Sequence, residues 1–157
     1  GEAIETVREN LEELRRIAQR LRPQALEELG LASALAELAD RLGTQAGLEI
    51  SRRLDGETSA LSREEELVIY RVAQEALTNV ARHSGARSAE LVLARAPGGA
   101  LWLSVTDDGQ GLDGSEAGAG IQGMHERAAA IHAEIDVDER DGGGTAVSLR
   151  LPQRLPR

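Results

Sequence analysis

Residues 62–84 read SREEELVIYRVAQEALTNVARHS, and no other run limits the fold as tightly. Ser62 followed by Glu65 is a capping-box pair that opens a helix, and Gly85 offers a stop. Between them Val68, Val72, Ala73, Ala76 and Val80 recur at helical spacing. Largely opposite them stand Glu75, Asn79 and His83, four apart, with Arg82 three beyond Asn79. Such a helix needs an apolar layer beneath one face and leaves a carboxylate, an amide, a guanidinium and an imidazole on the other. A polar face alone is what any amphipathic helix turns to solvent. Here the glycines downstream change that reading.

The runs around this helix supply the layer. SAELVLARA and ALWLSVTD follow it as two strands separated by Pro97-Gly98-Gly99, and LEISRRLD at 48–55 precedes it as another. EIDVDER, the turn DGGG and TAVSLRLP predict a closing hairpin, after a helical stretch from about residue 121 to 133. Residues 24–45 predict one helix carrying Leu31, Ala34, Leu35, Leu38 and Leu42. Before it, Ile4, Val7, Leu11, Leu14, Ala18 and Leu21 form an alternating three/four seam, the mark of a helix that packs on another helix. Arg22-Pro23 ends that arm. The expected architecture is therefore α+β: a helical arm over 1–22, then a two-layer domain over 23–157, with helices on one face of a mixed, mostly antiparallel sheet.

With 157 residues, 41% of them hydrophobic, the chain can bury one such core. Aromatics make up 1% and phenylalanine is absent, so Leu, Val, Ile and Ala must fill it, and no stacking platform for single-stranded nucleic acid is available. A net charge of −9 without a dense Lys/Arg cluster argues against direct nucleic-acid contact. Cysteine is absent, which excludes a disulfide framework and fits a reducing compartment. No apolar run approaches the ~20 residues that span a bilayer. The expectation is a cytoplasmic segment with no membrane contact of its own, whatever anchors a longer parent.

Two glycine motifs then converge on a ligand. VTDDGQG places Asp107 at a strand end, where a buried carboxylate selects a hydrogen-bond donor such as an exocyclic amine. Gly109 and Gly111 let the backbone turn sharply and approach a planar group. About ten residues on, GAGIQGM sets Gly118, Gly120 and Gly123 just before and within a helix start, where N–H groups and the helix dipole receive phosphate. It does not match G-x-x-x-x-G-K-[ST]. Its G-x-G-x-x-G spacing imitates a dinucleotide fingerprint, but no βαβ unit is expected around it.

In this order the motifs resemble the ATP-binding domain of sensor histidine kinases, within the larger gyrase, heat-shock chaperone, histidine kinase and MutL (GHKL) group. QEALTNVARH is similar to the family's N box, VTDDGQG to its first glycine box, GAGIQGM to its second, and GTAVSLRLP to its closing strand. LRPQALEELGL and GMHERA resemble the subfamily paired with NarL/LuxR-type response regulators. Together the likeness spans about residues 3 to 152. It implies ATP and Mg²⁺ as ligands, with Asn79 giving its amide oxygen to the metal. Glu75 would stand near the metal through water and near the attacking group as a base. Arg82 and His83 would meet the phosphates or the nucleoside, and Asp107 would accept the adenine amine with help from Thr145. Asp108 is expected to be a loop or cap residue.

The resemblance also implies partners: an acceptor-histidine helix, a response regulator, and a second copy in a homodimer. The arm is then the second helix of the dimerisation hairpin, and the acceptor helix belongs to a longer parent. Of the three histidines, His83 lies in the N box, His125 imitates an acceptor dipeptide with Glu126 but stands behind the phosphate loop, and His132 is a helix-end residue. Phosphorylation in cis is therefore not expected. Two other readings fit the residues: a nucleotide-sensing interaction module without phosphoryl transfer, and an anti-sigma-type serine kinase of the same fold. The arm and LRPQALEELGL argue against the serine kinase.

Overall fold

The computed structural model describes residues 1–20, 22–83, 85–111 and 118–154, without the side chains of residues 15, 16 and 18–20. Ten elements follow in order: α1 (Glu2–Arg20), α2 (Gln24–Leu29), α3 (Leu31–Ala46), β1 (Glu49–Leu54), α4 (Arg63–His83), β2 (Ser88–Arg95), β3 (Leu101–Asp107), α5 (Gly118–Ala130), β4 (Glu134–Glu139) and β5 (Thr145–Leu151). The expected α+β arrangement is what forms.

Helix α4 is the centre of it. Its capping box closes in both directions: the Glu65 N–H donates to Ser62 Oγ at 3.1 Å, and the Ser62 N–H donates to Glu65 Oε2 at 2.9 Å. Val68, Val72, Ala73, Ala76 and Val80 are all buried, joined by Ile69, Tyr70 and Leu77. They rest on a five-stranded sheet of order β1-β2-β3-β5-β4. Ala89, Leu91 and Leu93 of β2, Leu101, Leu103 and Val105 of β3, and Val147, Leu149 and Leu151 of β5 meet the helices by period-two alternation. Helix α3 packs on α4 and β1, and α5 on α4 and β4. The core is built of Leu, Val, Ile and Ala, with Tyr70 and Met124 added.

Two expectations change. The single helix over 24–45 is broken at Gly30, which sits at φ 80° and ψ 173°, so α2 stops at Leu29 and α3 starts afresh at Leu31. The sheet also contains a βαβ crossover: β1 pairs with β2 in parallel, Glu49 with Ser88 through Leu54 with Leu93, and α4 connects them. The other three pairings are antiparallel. Around GAGIQGM itself, β3 and β4 are kept apart by β5, so the dinucleotide arrangement of adjacent parallel strands is absent there.

The arm stands apart from this core. Ile4, Val7, Leu11, Leu14 and Ile17 are 47–62% exposed along one side of α1. The side chain of Ala18 and the residue Leu21, which the sequence places on the same seam, lie outside the described residues. Among the described residues no helix is long and apolar enough to cross a membrane.

Candidate functional site

Strand β3 ends by turning one carboxylate inward. Alternation that buries Leu101, Leu103 and Val105 also buries Asp107, which is 2% exposed. Its Oδ1 accepts the Gly109 N–H at 2.8 Å, which fixes the carboxylate over the start of the loop. The register that pairs Thr106 with Ala146 carries Thr145 alongside Asp107, on the same helix-facing side and 9% exposed. A buried acceptor and a buried hydroxyl thus share one corner.

Asp108, one residue on, is turned the other way. Its Oδ1 accepts the N–H groups of Arg87 at 2.9 Å and Ser88 at 3.1 Å, and its Oδ2 accepts Ser88 Oγ–H at 2.9 Å. Hydrogen bonds from the Ser88 backbone, the Ser88 hydroxyl and the Arg87 backbone, in that order, hold its carboxyl below the usual range. Asp108 ties the beginning of β2 to the end of β3, as a loop residue does.

Helix α4 supplies the opposite wall unevenly. Glu75 and Asn79 are half-buried, whereas Arg82 and His83, in the last turn, are exposed. Helix α5 approaches Glu75 so closely that a Cβ on Gly120 would overlap its carboxylate. A Cβ on Gly123 would stand 3.4 Å from Arg127 Nη1, and one on Gly118 would meet nothing within 4 Å. All three glycines lie inside α5, with Gly118 as its first residue. One turn before Glu75, Arg71 donates from Nη1 to Gln74 Oε1 at 2.8 Å. Burial, and then the charge of Arg127, pull its pKa below the usual arginine value. The connection between the two glycine motifs, residues 112–117, lies outside the described residues.

One contributor was invisible as a motif. The DGGG segment, expected to be a plain hairpin turn, packs against Asp107, Asp108, Gly109 and Gly111 of VTDDGQG. A Cβ on Gly144 would overlap the Asp107 carbonyl, and one on Gly143 would stand 3.2 Å from the Gly109 carbonyl. Gly111, at φ 84°, lies against the Gly144 carbonyl in turn. Arg140 donates from Nη1 to the Asp107 carbonyl at 2.7 Å. The available signal was the run of three glycines, since a tight hairpin asks for φ > 0 at only two central positions. A polar depression of about 470 Å³ opens on the helix-free face of the sheet, lined by Glu49, Ser51, Glu90, Thr106, Asp108 and Arg140 among others. It backs onto Asp107 from the side opposite α4 and α5, so it is not where the predicted ligand-facing side chains gather.

Known proteins resemble this chain in sequence and share its fold. Residues 64–155 match the family of histidine kinase-, DNA gyrase B- and HSP90-like ATPases. The chain is 33% identical over 160 residues to the sensor histidine kinase MctS of Rhizobium johnstonii, covering 98% of this chain and 34% of that protein. It is 36% identical over 146 residues to the signal transduction histidine-protein kinase/phosphatase UhpB of Salmonella typhimurium, covering 90% of this chain and 28% of that protein. The chain thus spans about a third of the length of these relatives. The histidine kinase domain of the Erythrobacter litoralis EL346 blue-light activated histidine kinase has the same fold, with a TM-score of 0.63 at 23% identity over 78% of this chain and 64% of that one.

Proposed function

Because the chain belongs to the histidine kinase-, DNA gyrase B- and HSP90-like ATPase family, we propose that it is the ATP-binding catalytic part of a sensor histidine kinase, and that it delivers the γ-phosphoryl group to a histidine on a separate helix. The observation that carries this reading is Asp107: a carboxylate 2% exposed, held by the Gly109 N–H, beside buried Thr145. Among the described residues no donor meets its Oδ2. An adenine amine supplies the missing donor, and a charge-assisted bond to a carboxylate this buried is both strong and selective.

The chain's own residues divide the rest of the work. Asn79, half-buried on α4, offers an amide oxygen suited to Mg²⁺, a hard ion that takes oxygen ligands and keeps substrate phosphates in its shell. Among the described residues no group of three or more His, Asp or Glu is placed to hold a metal alone, so the ion would be shared with the triphosphate. When bound, Mg²⁺ neutralises phosphate charge. Glu75, one turn before Asn79 and against Gly120, would hold a water beside that ion and accept the proton of the attacking group. Exposed Arg82 and His83 receive phosphate or ribose oxygens at the open end. Gly120 lets α5 close on Glu75, and with Gly118 in the first turn it offers free backbone N–H groups to the phosphates, while Gly123, in the second turn, contributes only the absence of a side chain.

The same proposal assigns residues 1–22 to the second helix of a dimerisation hairpin and residues 23–157 to the ATP-binding domain. LRPQALEELGL and GMHERA support a NarL/LuxR-type regulator as the final recipient and a cytoplasmic setting. The test is to mix this chain with Mg-ATP and a separate fragment carrying an acceptor helix. Acid-labile phosphohistidine is expected, and it should fall with Asn79→Ala. That variant should weaken ATP binding in Mg²⁺ and match the parent in chelator. Tight Mg-ATP binding with no transfer to any acceptor fragment would favour the nucleotide-sensing module instead.

A further inference from the structure

We propose that Arg140, on the β4–β5 turn, is a positioning residue for Asp107 and thereby a determinant of nucleotide choice; the inference rests on Asp107 being the adenine acceptor. Asp107 is held at three points. Its backbone pairs with Ala89 of β2, its Oδ1 takes the Gly109 N–H, and its carbonyl takes a hydrogen bond from Arg140 Nη1 at 2.7 Å. The first two fix the strand and the rotamer. The third acts where β3 gives way to the loop, on the peptide whose tilt sets the Cα–Cβ direction. Hydrogen bonds weaken steeply with angle, so a carboxylate that reads one amine depends on that tilt.

The turn is shaped for this reach. The Arg140 N–H donates to the Gly144 carbonyl at 2.9 Å, and the Gly143 N–H donates to the Arg140 carbonyl at 3.1 Å. Gly142, Gly143 and Gly144 take φ of 87°, 110° and 91°, a succession that other residues resist. This folding lays the turn directly on the Asp107 peptide, where a Cβ on Gly144 would have no room. Arg140 reaches Asp107 from the helix-free face, along the depression that Asp107 and Asp108 also line. The carboxylate is thus presented from one side of the sheet and braced from the other. A guanidinium suits the task because its planar fork loses little freedom when it binds.

The alternative is that Arg140 only closes a hairpin, and the two roles predict different measurements. In the full chain, Arg140→Met keeps an unbranched stem and removes the guanidinium donor. ATP affinity should fall about three- to tenfold, the worth of one ordinary hydrogen bond, while GTP affinity stays unchanged. The ATP-to-GTP preference should therefore shrink by the same factor. Arg140→Lys, which retains a donor and a charge, should recover most of it. In an Asp107→Asn background, Arg140→Met should cost no further preference. Equal losses for ATP and GTP would reduce Arg140 to a turn residue and overturn the proposal. So would an unchanged preference in Arg140→Met where Asp107→Asn abolishes it, and the adenine reading of Asp107 would then survive alone. An unchanged preference in Asp107→Asn itself would remove both.

Discussion

Asp107 and Asp108 are neighbours of one chemical type, and strand alternation gives them opposite employment. Asp107 is buried toward the helices, and among the described residues no donor meets its Oδ2, whereas both oxygens of Asp108 are spent on Arg87 and Ser88. Asp107→Asn replaces an ionised acceptor by an amide with one acceptor oxygen, so ATP affinity should fall about ten- to a hundredfold by calorimetry. Asp108→Asn should leave affinity unchanged and lower the melting temperature instead. That loss has a defined pH window. Because the folded-state pKa of Asp108 lies below the ordinary value of 3.8, its contribution is complete above that pH and fades as the pH falls through the folded value. Melting curves of parent and Asp108→Asn should differ at neutral pH and converge on acidification. A gap that widens toward low pH would exclude the hydrogen-bond account.

Helix α4 was legible in the sequence because its determinants are local: a capping box, a helical repeat and a terminal glycine all lie within one run. The inward turn of Asp107 was legible for the same reason, since alternation along β3 needs only seven residues. The break at Gly30 was not, because the apolar spacing runs on from Leu26 through Leu31 to Leu35, and all three are buried on either side of it. Nor was the parallel pairing of β1 with β2, which joins segments separated by all of α4. Arg22 illustrates the same limit, for its neighbours read only as a helix stop. In the structure its Nη1 donates to the Arg63 carbonyl at 2.8 Å, its Nε pairs with Glu27 Oε1 at 2.8 Å and its Nη2 with Glu66 Oε1 at 3.3 Å. Arg63 pairs with Glu27 as well. The residue that ends the arm therefore fastens α2 to the first turn of α4. Arg22→Met should destabilise the domain by about 1–2 kcal/mol after discounting for solvent screening, and less in high salt. Urea melts at low and high ionic strength measure this, and a loss that salt leaves untouched would assign the effect to packing.

At the scale of the molecule, the chain is one packed domain carrying an arm that it does not itself use. Among the described side chains of α1 none belongs to the core cluster, and five large apolar ones, Ile4 to Ile17, stand 47–62% exposed. A 19-residue helix has little stability alone in water, so what holds this one must come from a surface matching its seam. The three/four spacing is that of helices packing on helices, and a second copy of the same seam is the partner present in any solution of the chain. The chain should therefore associate as its concentration rises, with α1 at the contact. Leu11→Glu places a charge in the middle of the seam and should abolish association without moving the melting temperature of the domain. Deleting residues 1–20 should do the same and leave ATP affinity intact, because Arg22 and its ties to Glu27, Arg63 and Glu66 are retained. Sedimentation velocity over a concentration series, with hydrogen exchange on α1, checks both. Monomers at every concentration, with α1 protected from exchange, would mean that the arm folds back on its own domain and the seam has another use.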